Sequence, residues 1–500
     1  MLFLLCYVIS VLSMLRFLAT LPPCNIGVCP ALNVVGLETK DSKNNYEKTV
    51  FVVSIPMFNI NRRLLLMKLC FFIFDFGSAP IVPFIPTVLT QRGVSLVVVG
   101  SILTFVPVLN IVIRPLVGYV TDRWHCCRSV FLCASLINAI VTPTLHFIPD
   151  FLTDQQKAEE VNVLESWKFW VFLLVITVNR IMWMIGDVLQ DTICVNILGK
   201  ESSKYSVQRI FGTIGWGISS VLAGWCVDWY SQGEIEKNHL PVYLIISATM
   251  IIHVLAASQL EIKTVDKGNT NKGAVRKVLS DFKTVSFLVW VTFAGIFTAY
   301  TWYYIFIYIE DLANIFHPER LPWIKTIEGL SFTVQCCLGE MPIFLFFGII
   351  LKRTGHMVAF SISFAMFALR FYLYSIVEDP LWILPIELLT GVSFAMAFLS
   401  GISYAAKLAP PGSEGTMQGL FGMAFQGLGV SSGGFIAGYT FKTLGSSYSY
   451  RFISYVAFVV FIVQVLISQL LQRRKNKSSK RMSDKCGSIH EMENLQNNEC

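Results

Sequence analysis

The sequence predicts an all-α polytopic membrane protein whose twelve transmembrane helices form two six-helix bundles. Three observations predict it. The 500 residues are 54% hydrophobic and only 14% charged, with a mean hydropathy of +0.61, which leaves too few polar side chains to cover soluble domains. Apolar runs of about 20 residues, each long enough to cross a hydrocarbon core of roughly 30 Å, recur from Leu64 onward. Short motifs of the first half also return in the second half at fixed offsets.

Residues 1–60 read as a leader. Its apolar run at 2–20 lacks a basic start and so matches a secretory signal poorly; an extra span and a misplaced translation start both remain open. With Arg16, Lys40, Lys43 and Lys48 behind it, an N-out span would leave 21–62 in the cytoplasm. Residues 30–60 are mixed and polar, and read as weakly ordered. The first bundle (61–260) has spans at 64–89, 96–119, 129–148, 169–192, 210–229 and 241–260. A polar linker at 261–284, rich in lysine, separates it from the second bundle (285–472), with spans at 285–309, 327–351, 357–377, 381–404, 417–441 and 451–472. Residues 473–500 read as a basic, disordered cytoplasmic tail.

The connections alternate in charge. Arg62-Arg63, Arg123 and Arg128, Lys200, Lys204 and Arg209, Lys352-Arg353 and Lys407 fall on one side, which is thereby cytoplasmic; the opposite loops are more acidic, as in Asp154, Glu159 and Glu160. The net charge of +7 sits mostly in these loops and the tail, so it reports orientation and contact with anionic lipid, and no basic domain is left for nucleic acid. Most of the 13 cysteines lie inside apolar runs and behave as small hydrophobes. Cys126 and Cys127 face two readings, palmitoylation and incidental loop thiols. The sequon at Asn476 falls in the cytoplasmic tail, out of reach of glycosylation.

Gly118-x-x-x-Asp122-Arg123, followed by Arg128, resembles the signature loop between helices 2 and 3 of the major facilitator superfamily. In that family the glycine allows close helix contact, and the aspartate and arginines form a charge lock at the N-terminal end of a neighbouring helix. His125-Cys126-Cys127 stand where the usual pattern has a glycine and a basic pair, and an ordinary positive-inside loop is the alternative. Gln208-Arg209-Ile210-Phe211-Gly212, with Gly217 and Gly224, returns as Gln418-Gly419-Leu420-Phe421-Gly422, with Gly427 and Gly434, at an offset of 210. Gly118 and Arg123 align with Gly348 and Arg353 at an offset of 230. Such a repeat is the mark of parallel transporter halves. The glycines of span 11 allow close backbone approach, either as a sliding surface between halves or as static packing.

The stretches Asn61–Lys68, Phe84-Ile85-Pro86, Arg114–Gly118, Gln208–Gly217, Glu340-Met341-Pro342 and Pro385–Gly391 together resemble the animal family of major facilitator superfamily domain-containing protein 6 over residues 60–472. Fold relatives of that family include bacterial sugar and nucleoside proton symporters. The resemblance implies the major facilitator fold, and a receptor-like member keeps a non-transport reading open.

Eight ionisable residues are read inside the spans: Asp75, Arg114, Arg180, Asp187, Asp191, Glu340, Arg370 and Glu387. Each is expensive in hydrocarbon unless paired or solvated. Arg114 and Asp191 are placed near helix ends, where snorkelling suffices. Asp75, Arg180 and Glu340 fall near mid-span, at the depth where such transporters hold substrate. Arg180, Asp187 and Asp191 share one face of span 4 with Trp183, which reads either as cavity lining or as a structural charge network. Arg370 and Glu387 sit at similar depth in spans 9 and 10; by resemblance to the sugar symporters Glu387 is the proton carrier and Arg370 its partner, and a permanent ion pair is the alternative. Carboxylates outnumber arginines among the eight by five to three, so some are expected to carry protons.

No nucleotide loop, catalytic triad spacing or metal-ligand pair appears, so the chain is expected to be no enzyme and to need no cofactor or metal. The expected function is secondary active transport of a small polar solute coupled to protons, by a monomer embedded in lipid. The rival is a receptor or scaffold that keeps the fold and moves nothing.

Overall fold

The computed structural model describes residues 33–40, 47–54, 62–124, 126–152, 162–198, 205–232, 234, 236–260, 282–408 and 414–470. The apolar run at 2–20, nearly all of the linker and the tail lie outside them. Strands β1 (Asn33–Lys40) and β2 (Glu47–Ser54) pair antiparallel, with Asn33 opposite Ser54. This corrects the weakly ordered reading of that part of the leader: Val34, Val35, Val50, Val52 and Val53 form a β-branched set suited to a hairpin.

Eleven helices among the described residues are long and apolar enough to cross a membrane. Exposed side chains within the spans, such as Ile140, Leu174 and Leu255, give them an apolar outer surface, as a bilayer requires. Span 1 is the one broken below that length, into Arg62–Ser78 and Ile81–Gln91. Proline explains the break. Pro80 has no N–H to give the carbonyl of Phe76, and that carbonyl accepts from the Ser219 hydroxyl of span 5 instead. The second segment then runs unbroken through Pro83 and Pro86.

Span 2 runs over Leu96–Trp124. Helix therefore continues past Gly118, close to the expected end of the span, through Asp122 and Arg123, where a loop is expected; the side chains of Asp122 and Arg123 lie outside the described residues. Arg128 donates to the backbone oxygen of Ser258 at the end of span 6, tying the turn after span 2 to its neighbour. Spans 3 to 6 are Cys127–Thr144, Trp167–Leu198, Tyr205–Tyr230 and Leu240–Ala257. Span 7 is Phe282–Tyr303 continued by Ile305–Phe316, and span 9 is His356–Tyr374. Spans 8, 10 and 11 each contain a π-helical stretch, at Val334–Glu340, Gly391–Ala395 and Met423–Val430. Span 12 is Ser446–Leu470.

The halves meet along two equivalent seams, span 5 with span 8 and span 2 with span 11. A Cβ on Gly224 or Gly329 would run into the backbone of Lys325 or Ser220 across the first seam, and a Cβ on Gly438 would lie 2.6 Å from the backbone oxygen of Leu96 across the second. Phe84 of span 1 also packs edge-on against Phe306 of span 7, centroids 5.3 Å apart. These contacts lie toward the face where span 1 turns into span 2, called here the first-turn face. Spans 4 and 10 pack within their own halves.

Candidate functional site

A cavity of about 1490 Å³, counting the part open to solvent, lies between the halves and takes its walls from both. Asp75 of span 1, just before the proline break, borders it. Asp75 is accommodated because position 212 is glycine: a Cβ there would overlap the carboxylate. From span 4, Arg180, Trp183 and Asp187 line the same space, and Glu340 joins from span 8 at the end of its π-helical stretch. The structure thus brings together all five residues expected to border a cavity.

Helical spacing explains the span 4 side. Arg180 lies three residues before Trp183, so its guanidinium stacks on the indole at 4.2 Å. Asp187 is 3.3 Å from Arg114 of span 2 and 3.6 Å from Arg209 of span 5. Arg209 also pairs with Asp191 at 2.7 Å, which accepts from the Tyr205 hydroxyl at 2.7 Å. Arg114 reaches across the halves to Gln426 of span 11, 2.9 Å away. The result is a charge-balanced quartet of two arginines and two aspartates, which corrects the snorkelling expectation for Arg114 and Asp191. These two groups find partners inside the bundle, with side chains only about one-third exposed.

Arg209 is the residue that sequence reasoning missed. Its neighbours Lys200 and Lys204 drew it into the basic loop, yet span 5 begins at Tyr205 and carries Arg209 inward one turn. Gln426 carries no charge and was likewise passed over; its one signal is its place in the glycine-rich repeat helix.

Glu340 accepts from Gln335 at 3.2 Å. Behind it, away from the cavity, Arg370 pairs with Glu387. Glu387 also accepts from Tyr374 at 2.6 Å and from Thr390 at 3.1 Å, and Arg370 donates to the Tyr374 hydroxyl at 2.8 Å. Both ions are fully buried and neither borders the cavity. The repeat residues divide. Gln208 is buried in span 5, while Gln418 donates to the Ile402 backbone at 2.9 Å. Gly212 is pressed against Asp75, while a Cβ on Gly422 would meet nothing within 4 Å.

Residues 64–452 match the profile of the MFS_1 like family. The chain belongs to that family. Among curated proteins this family member is 21% identical over 418 residues to the maltose permease of Geobacillus stearothermophilus, covering 83% of this chain and 95% of the permease. Among solved structures it resembles the nucleoside transporter NupG, with a TM-score of 0.62 at 19% identity over 81% of this chain and 99% of that one. It also resembles a bacterial homologue of the human drug peptide transporters PepT1 and PepT2, with a TM-score of 0.61 at 14% identity over 82% of this chain and 98% of that one. At these identities the structural likeness establishes the major facilitator fold.

Proposed function

We propose that the chain is a secondary active transporter of a small polar solute, held here with its first-turn face closed and its cavity addressed to the other face. The observation that carries this reading is the cavity between two pseudo-equivalent halves, with charged side chains at mid-depth and seams packed toward one face. The basic connections argue that the other face is cytoplasmic. Within the superfamily, the motif set supports placing the chain with the domain-containing protein 6 branch. The transporter names of the maltose, nucleoside and peptide relatives fit the same reading.

Coupling to protons is part of the proposal. Of the carboxylates that border the cavity, Asp187 is held by Arg114 and Arg209, while Asp75 and Glu340 have no such ion pair and can exchange protons with it, whereas Glu387 is caged by Arg370, Tyr374 and Thr390. Glu340 lies within electrostatic reach of both Arg370 and Glu387. We therefore assign the carrier role to Glu340 and a setting role to the pair behind it, in place of the carrier role that resemblance gives Glu387. The test is uptake from a broad solute library into vesicles reconstituted with the protein, driven by a pH gradient. Accumulation that a protonophore abolishes is the expected result; ligand binding with no uptake of any solute would return the chain to the receptor reading. Glu340→Gln should lose pH-driven accumulation and keep solute exchange, and Asp75→Asn should lose both.

A further inference from the structure

The five acidic and basic residues that border the cavity do not form one balanced set. Asp187 and Arg209 belong to the quartet with Arg114 and Asp191. Arg180, Asp75 and Glu340 remain. Arg180 has no carboxylate within 4 Å among the described residues; its Nη1 and the neighbouring Trp183 Nε1 are buried donors without a hydrogen-bond partner there. The Asp75 carboxylate also has no hydrogen bond or ion pair among the described residues, the Arg209 charge reaching it only from beyond contact distance, and Glu340 has one hydrogen bond, from Gln335, with Arg370 further behind it. Apolar and aromatic surface, including Trp216, Trp302, Phe332, Phe394 and Phe398, makes up the remainder. Buried donors and charges without partners are unfavourable unless something answers them.

We infer that the cavity takes a small zwitterion with an apolar or aromatic body, its anionic group received by Arg180 and Trp183 and its cationic group by Asp75. This rests on the transport-site reading of the same cavity. A lone cation would leave Arg180 unanswered, and a lone anion would face two carboxylates. A polyol would find few neutral polar partners, because the wall offers mainly Thr213, Tyr303, Gln335 and Gln426, and Gln426 is already engaged by Arg114. A zwitterion matches Arg180 and one carboxylate, and the second carboxylate is left for a proton.

The test uses the purified full chain and four probes that share one ring: phenylalanine, phenethylamine, 3-phenylpropionate and 3-phenylpropanol. Binding is read by calorimetry and by quenching of tryptophan fluorescence. Phenylalanine should bind at least about tenfold more tightly than each of the other three, the scale of one charge-assisted hydrogen bond. Arg180→Gln should erase its advantage over the amine, and Asp75→Asn should reduce its advantage over the acid. The wild-type ranking stands as evidence even if a variant fails to fold. Equal binding of the four probes, or binding of none, overturns the inference. Uptake of a neutral sugar or nucleoside with no phenylalanine preference would overturn it while sparing the transport reading; phenylalanine preference without uptake would do the reverse.

Discussion

Gly212 and Gly422 occupy corresponding places in the repeat, yet only Gly212 has a carboxylate against its Cα: a Cβ would overlap Asp75 at one position and meet nothing within 4 Å at the other. Gly212→Ala should therefore reduce uptake at least about tenfold by displacing Asp75, whereas Gly422→Ala should stay within about twofold, since a helical Gly→Ala change with room for the methyl is worth about 1 kcal/mol at most. Equal losses in transport assays of the two variants would remove the special role of the contact. A second residue-scale prediction concerns the caged pair. Because Arg370 and Glu387 are both fully buried, Glu387→Ala should destabilise the protein by about 3–5 kcal/mol by leaving an unmatched guanidinium, visible as a lower thermal transition in detergent. At this scale the sequence was informative where charge interrupts an apolar run, as at Asp75, Arg180 and Glu340. It was silent where a charge stands at the edge of a run. Arg209 looked like a loop base because nothing local says that the helix starts at Tyr205, and the partner that draws Arg114 inward, Gln426, lies 312 residues away.

The elements repeat that division between local and distant causes. The span count follows from apolar runs and was legible, and the break in span 1 has a local cause in Pro80. What captures the freed carbonyl does not, because Ser219 is 143 residues from Phe76. Ser219→Ala should leave that part-buried carbonyl without a partner and destabilise by about 1 kcal/mol. Pro80→Ala supplies a new amide donor, so in the double variant it should offset part of that loss. Thermal unfolding of the two single variants and the double variant would measure the coupling, and strictly additive effects would mean that Ser219 does not substitute for the missing amide. The three π-helical stretches had no such signal, since Gln335, Glu340 and Gln426 interrupt the apolar runs of spans 8 and 11 without marking a change of helix type, and Gly391–Ala395 of span 10 carries no charge at all. All three lie in the second half and all supply cavity wall: Gln335, Cys336 and Glu340, then Phe394, then Gln426 and Val430. An extra residue per turn turns neighbouring side chains to new directions, and π-helical turns are common at functional sites for that reason.

For the whole molecule, the repeat offset translates into pairing. Gly217 and Gly224 of span 5 face span 8, and Gly427 and Gly434 of span 11 face span 2, so corresponding glycines form corresponding seams. The two readings of the span 11 glycines are both realised: Gly434 and Gly438 lie on the seam between halves, whereas Gly429 and Gly433 pack on span 7 within one half. At the first-turn face the closure is polar. Asp228, at the end of span 5, accepts from the Thr326 amide at 2.6 Å and the Thr326 hydroxyl at 2.7 Å, and thereby caps the start of a span 8 helix that belongs to the other half. Lys237 holds Asp228 at 3.2 Å and donates to the Pro322 carbonyl at 2.8 Å, again across the halves. Alternating access requires these bonds to break and the Arg114 to Gln426 bond to rearrange as the opposite face closes. A cysteine pair at positions 228 and 326 tests this directly, in a background from which the 13 native cysteines have been replaced. Oxidation should lock the first-turn face and stop uptake, and reduction should restore it; a cross-linked protein that still transports would show that this seam does not open during the cycle. Asp228→Asn should shift the population the other way, toward a first-turn face that opens more often, read as faster labelling of a cysteine placed at position 216 by a reagent confined to that side.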